Sequence, residues 1–436
     1  MAITETLHKP FGNKLGADIK LPDFDPRCKN IDEFYDRYDE NGIFKLTPPK
    51  QRGIQVTSHK PTSIQDAQNI VMIYEDIYQG GYPFKEMLDP SYILGTFFNP
   101  CYFWRVFKTD DKAPEPNEIV GCATIVVDFE HRAGYLRGFN IRPKYQSKIA
   151  FREMAYGLIW QFVDATKGRV DKWYNESRTA HNITQFLSDF IGARSQAVLL
   201  NKDYFMGKKE SDCLMAAYWS DAFTSRRIIP RSLIPEVMPY YQMIMDMHNH
   251  YEGMPEISIT NEKIDLHEVI RIATSSQTEV KTDEYGYITF RFEDPRTGDF
   301  MEGLHTPMVK NIEKIHYHYN DISSFVGLFY LLRKYARENA VEYFEFYIPA
   351  SDIQVQQFMV SQNLTILGYL PGWHIVDQNS LQAEDVVVFG WSAILPDPDQ
   401  IKLVDDGIKL LGLIQCDQEI PSMVPSLAVA DRKSVV

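Results

Sequence analysis

The chain lacks most of the features that announce a function outright. It has no run of about 18 apolar residues, so no membrane-spanning helix is expected. Residues 1–16 hold no apolar stretch of the kind a signal peptide needs. There is no C-x-x-C pair: Cys28, Cys101, Cys122, Cys213 and Cys416 are scattered and odd in number. That spacing argues against a disulfide framework or a structural zinc site and points to a reducing cytoplasm. Basic residues are not in excess. Lys and Arg total 45 against 59 Asp and Glu, a formal net charge of -14. Such a balance argues against a nucleic-acid backbone as main partner, though it leaves room for a local basic pocket. Neither a G-x-S-x-G element nor a P-loop is present.

What the chain does have is length and aromatic residues. Its 436 residues suffice for two or three domains, and 44% are hydrophobic. The 25 Tyr and 26 Phe favour a sheet-rich α/β or α+β architecture over a helical bundle. Residues 1–52 are polar and rich in Pro, Lys and Asp. They read as an irregular arm with one short helix near Ile31–Tyr38, either wrapped on the body or a second subunit, or loosely ordered. A compact unit spans 53–220. In it, Ser63 caps a helix over Ile64–Tyr78, whose apolar residues fall at helical spacing. Its elements run β-α-α-β-β-β-α-β-α-β-β. Residues 221–255, with four prolines, read as a connector. A second unit, 256–394, repeats the order without evident sequence identity, and 395–436 form a tail.

The most informative stretch is Ala133–Trp219, where the turn Ile141-Arg142-Pro143-Lys144-Tyr145-Gln146-Ser147-Lys148 joins a strand to a helix over Ser147–Asp164. A helix start after a strand presents unpaired backbone N–H groups to a phosphate. In this context the first unit resembles the GNAT superfamily of acyl-CoA-dependent N-acetyltransferases. Three places carry the resemblance: Val120-Gly121-Cys122-Ala123, the turn 141–148, and Phe190-Ile191-Gly192-Ala193 followed by Asp212-Cys213-Leu214-Met215. The second unit resembles the fold through Phe344–Ile348, Leu364–Tyr369 and Val386–Trp391. The resemblance implies an α/β (α+β) protein with two GNAT-like mixed central sheets flanked by helices. It also implies acetyl-CoA or another acyl-CoA as cofactor, held in a split between Gly134–Ile141 and Lys172–Glu176. The cofactor residues it implies are Phe139, Asn140 and Ile141 on the strand, and Gln146, Ser147, Lys148, Ile149, Ala150, Phe151 and Arg152 in the following loop.

This chain departs from the family pattern at two points. The two glycine positions of the phosphate loop fall on Ile149 and Phe151, and a Cβ limits how closely a backbone approaches a ligand. Either the loop follows another path, or cofactor binding is weak or lost, with Lys148 and Arg152 offsetting the deficit by charge. The tyrosine that family members carry in the helix after the second split strand is also missing, since Gln185-Phe186-Leu187 stands there. In the second unit, Asp321 would repel a pyrophosphate and is expected to cap the next helix.

Acyl transfer needs a base for the amine, polarisation of the thioester and an acid for the thiolate. Asp128, Glu130 and His131 end the preceding strand and are candidate bases, or else a solvated turn. His181 and Glu176 flank the second split strand, and His181 is the foremost acid–base candidate. Tyr174 and Tyr204 are substitutes for the missing tyrosine. His248-x-His250 and His316-x-His318 have metal-compatible spacing but no complement of ligands, so no metal is expected. Tyr369–Trp373 either lines a pocket between the units or packs a core. Two readings remain open. One is an N-acyltransferase acting on a small-molecule or protein amine, without nucleic acid or membrane and with room for a homo-oligomer. The other is a catalytically lapsed relative kept as a binding or assembly module.

Overall fold

A computed structural model describes residues 54, 56–146, 148–149, 155, 158–159, 162, 166, 168–190, 192–218, 220–250, 253–260 and 263–417. The arm 1–52, with its expected helix near Ile31–Tyr38, lies outside them, as does most of 150–165. Within the expected helix, Ala155, Leu158, Ile159 and Phe162 are helical.

The first unit contains β1 (Val56–His59), α1 (Ile64–Tyr78), α2 (Pro90–Thr96), β2 (Tyr102–Thr109), β3 (Ile119–Asp128), β4 (Ala133–Ile141), β5 (Lys172–Arg178), α3 (Ile183–Phe190), β6 (Arg194–Phe205) and β7 (Lys208–Tyr218). Ser63 caps α1 as its sequence predicts. Its hydroxyl accepts the Asp66 N–H while the Asp66 carboxylate accepts the Ser63 N–H, a reciprocal capping box. The linking segment holds α4 (Ser220–Phe223), β8 (Arg227–Ile228), β9 (Ser232–Leu233), α5 (Met238–Met247) and β10 (Glu256–Ile257). The second unit follows as α6 (Leu266–Ser275), β11 (Gln277–Thr282), β12 (Ile288–Glu293), β13 (Phe300–Thr306), β14 (Asn311–His318), α7 (Ile322–Glu338), β15 (Tyr343–Pro349), α8 (Ile353–Ser361), β16 (Thr365–Asp377) and β17 (Gln382–Ser392). Helix α9 (Asp405–Asp417) lies in the tail.

The fold is mixed α/β. Strands run β1-β2-β3-β4-β5-β7-β6 in the first half and β11-β12-β13-β14-β15-β17-β16 in the second. The two mixed sheets are joined edge to edge, because β6 pairs with β16 at Ala197–Gly368. Along each of these strand orders one parallel pair interrupts the antiparallel ladder, β4 with β5 and β14 with β15, and the short β8 adds to β17 in parallel off that path. A large core crosses the junction. It takes Leu199 and Leu214 from the first half, Tyr240 and Ile244 from α5, Phe344 and Phe389 from the second, and Leu410 from α9. Among the described residues no helix is long and apolar enough to cross a membrane.

Candidate active site

Strand β4 begins as a partner of β5 and then leaves it. Their register covers only Ala133–Tyr135 against Lys172–Tyr174. Beyond Tyr135, β4 keeps β3 on one edge and, among the described residues, has no registered strand on the other. A polar backbone edge left so must find another acceptor or donor. The departure coincides with a bulge. Between the pairs Cys122–Asn140 and Thr124–Arg137, β3 advances two residues while β4 advances three. Gly138 takes up the extra length at φ +63°, a left-handed conformation that glycine adopts without a Cβ penalty.

On the helical side the gap is polar. Asn175 donates to the hydroxyls of Ser177, at 2.8 Å, and of Ser188 on α3, at 2.9 Å. All three are buried. On the opposite side lie Tyr135 and Tyr174, stacked at 5.0 Å, with Trp373 of β16 edge-on to Tyr174 at 5.0 Å. Trp373 thus lines the junction between the halves. Asn140, another buried residue, has its Nδ2 without a partner among the described residues.

The second half repeats the device. β14 and β15 are in register only at Asn311–Tyr343 and Ile312–Phe344. A bulge falls at the matching place of β14, where Lys314 has φ +53°. The contents of this gap differ. Tyr317, Phe325, Phe346 and Phe358 pack ring against ring, with Tyr317–Phe325 at 5.0 Å and Phe325–Phe358 at 5.8 Å. Asp321 caps α7 through the Ser323 N–H at 2.8 Å, as its position predicts.

The turn after β4 is occupied by its own neighbours. Lys144 is paired with Glu115 at 2.7 Å and Glu118 at 2.9 Å. Tyr145 donates to the same two carboxylates. Arg142 reaches Glu118 at 3.4 Å and Asp76 at 3.5 Å. Gln146 donates back to the Ile141 carbonyl, and the Lys148 carbonyl accepts the Ile54 N–H at 2.9 Å. Ile149 sits in the core with Tyr145, Val56 and Phe162. Lys148 is exposed. Ser147, Ala150, Phe151 and Arg152 lie outside the described residues.

The three catalytic candidates stand apart. His181 is exposed on the turn between β5 and α3, and Glu130 is exposed in the turn before β4, at the closed end of the gap. Tyr204 on β6 donates to Glu342 at 2.6 Å, its ring beside the Lys209 and Lys310 ammonium groups. His131, beside Glu130, holds Asp128 at 2.7 Å, and that bond raises the imidazole pKa above its ordinary value. His248 is half-buried against Phe223 and bonded to Gln196, and among the described residues no group of His, Cys, Asp and Glu is arranged to hold a metal. Sequence reasoning missed Gly138. An interior strand glycine was the available signal. It also missed Lys202, which is 2% exposed and donates at 3.0 Å to both Glu176 and Glu345, 143 residues away.

No protein-family model matches the chain, and no curated protein matches it. Solved structures do align. The microcin C7 self-immunity acetyltransferase MccE, in complex with acetyl-CoA and AMP, shares 13% identity at TM-score 0.30 over 40% of this chain and 98% of its own. The spermidine N-acetyltransferase of Vibrio cholerae, in complex with CoA and spermine, shares 16% identity at TM-score 0.30 over 38% of this chain and 96% of its own. A dodecameric structure of the Vibrio cholerae enzyme shares 12% at TM-score 0.32 over 39% and 97%.

Proposed function

We propose that the chain is an acyl-CoA-dependent N-acyltransferase built from two GNAT-like units, with its acyl site in the first. The observation that carries this is the glycine bulge in β4 at the point where its edge loses β5. A backbone N–H turned out by this bulge would face a thioester oxygen there, and fixed N–H donors are an effective way to stabilise charge that develops in acyl transfer. The polar lining from Asn175, Ser177 and Ser188 suits the amides of a pantetheine arm, whereas the aromatic filling of the second gap leaves it no room. An acyl-CoA supplies the activated acyl group. The chain holds and orients it, with Gln146 to Arg152 beside the phosphates. His181, beyond the open end of β5, is the acid–base residue of this reading, with Glu130 and Tyr204 behind it. The acceptor is an amine, small or on a protein, and the net charge of -14 favours a cationic one.

One observation favours a second reading, a lapsed enzyme kept for binding or assembly. The cations of the phosphate turn, Arg142 and Lys144, already face Asp76, Glu115 and Glu118. Isothermal titration with acetyl-CoA and with free CoA separates the two. The acyltransferase reading expects micromolar binding, about -8 kcal/mol, and an amine screen in which His181→Ala lowers turnover and leaves binding unchanged. Absence of heat with both ligands selects the lapsed reading.

A further inference from the structure

Helix α1 carries a hydroxyl with nothing to bind. Tyr74 is wholly buried, and among the described residues its Oη has no hydrogen-bond partner. A buried, unpaired phenol suffers the full cost of leaving water, which phenylalanine in the same space would not. The hydroxyl lies over the bulge of β4. A Cβ built on Gly138 would fall 2.5 Å from Tyr74 Oη, so the glycine serves clearance as well as φ. Tyr82, edge-on at 4.8 Å, and Tyr78, stacked at 6.1 Å, wall the ring in. Burial, then the neighbouring Tyr82, push this phenol well above its ordinary pKa, against the opposing charge of Arg137. It therefore stays protonated and keeps a hydrogen to donate.

A donor fixed at that point has no acceptor among the described residues. On the acyltransferase reading, an acyl thioester in the gap would bring its carbonyl oxygen and sulfur toward this bulge. We infer that Tyr74 donates the hydrogen bond to the acyl thioester in the β4–β5 gap, supplied from α1 where the helix after β5 offers Gln185, Phe186 and Leu187 instead. The inference rests on the acyltransferase reading. The proton stays on Tyr74 throughout, so no bond is made or broken at its oxygen.

The test is Tyr74→Phe in the full chain, followed by its melting midpoint and by calorimetric titration with acetyl-CoA and with free CoA. The midpoint should hold or rise, because only an unpaired hydroxyl is removed. Affinity for CoA should be unchanged and affinity for acetyl-CoA should fall about tenfold. Equal acetyl-CoA affinity in variant and wild type overturns the inference and leaves the acyltransferase reading standing. A midpoint lowered by about 5 °C or more also overturns it, by showing that the hydroxyl holds the fold. If the wild type binds neither ligand, the acyltransferase reading fails and takes the inference with it.

Discussion

Ile149 stands where the sequence resemblance would put a phosphate-loop glycine, and its side chain is part of the core beside Val56, Tyr145 and Phe162. Reverting it to glycine would therefore not restore a phosphate cradle. Ile149→Gly should cost about 2–5 kcal/mol of stability, the price of a core cavity, with no gain in CoA affinity. Denaturant unfolding and titration check the two halves of that statement, and tighter CoA binding would show that the side chain only obstructs. His248 makes the same point about legibility. Its spacing with His250 is compatible with a metal but lacks further ligands, and it accepts a bond from Gln196 among Phe223 and Tyr218. Burial, then the charge of Arg194, pushes its pKa down to about 3. The unfolded chain binds a proton there near pH 6.5 and the folded chain does not. Its contribution is therefore present above about pH 6.5 and lost as pH falls toward 3. A His248→Phe variant should lose less stability between pH 7 and pH 5 than the wild type, and parallel pH curves would count against a neutral imidazole.

At the scale of elements, the readable parts were those with local chemistry. Ser63 with Asp66 and Asp321 before α7 each specify structure within a few residues. The missed elements lack such marks. β11 (QTEVKT) is exposed throughout and shows no apolar face, as befits an edge strand. β13 contains Gly303, which reads as a breaker but leaves room for the Phe290 ring. β16 continues through Pro371 and Gly372 to Asp377, past the residues that suggested its end. The junction between the halves was invisible for a different reason: it depends on a glycine without a special φ. A Cβ on Gly368 would meet the Gln196 carbonyl oxygen at 2.1 Å and the Ala197 Cα at 2.5 Å. Neither backbone atom can move aside cheaply. Gly368→Val should pry β16 from β6, which would appear as two unfolding transitions in place of one or as loss of soluble protein. A single transition at the wild-type midpoint would mean that the sheet tolerates a gap there.

Across the whole molecule, the two halves are held by charge as well as by the shared core. Lys202 of β6 bonds Glu176 of the first half and Glu345 of the second at 3.0 Å each, with Glu313 of β14 at 3.5 Å. One buried ammonium thus answers three carboxylates drawn from both gaps. Burial pushes the Glu345 carboxyl up to about 7, and Lys202 opposes that rise. Burial disfavours the Lys202 cation too, but Glu176, Glu345 and Glu313 hold its pKa well above the usual value. Replacing it by methionine keeps the length of the side chain and strands the carboxylates, and removing one partner of a buried ion pair typically costs about 3–5 kcal/mol. The pH dependence gives the sharper test. Without the cation, burial is unopposed at Glu345, which takes up a proton more readily in the folded chain than in the unfolded one, where glutamate titrates near 4.3. A raised folded pKa contributes stability at low pH that is lost as pH rises through it. The deficit of Lys202→Met relative to wild type should therefore be small at pH 5 and grow toward pH 8, in urea unfolding at both values. A deficit that stays constant would mean that the three glutamates do not share the lysine's charge, and that the core alone holds the halves together.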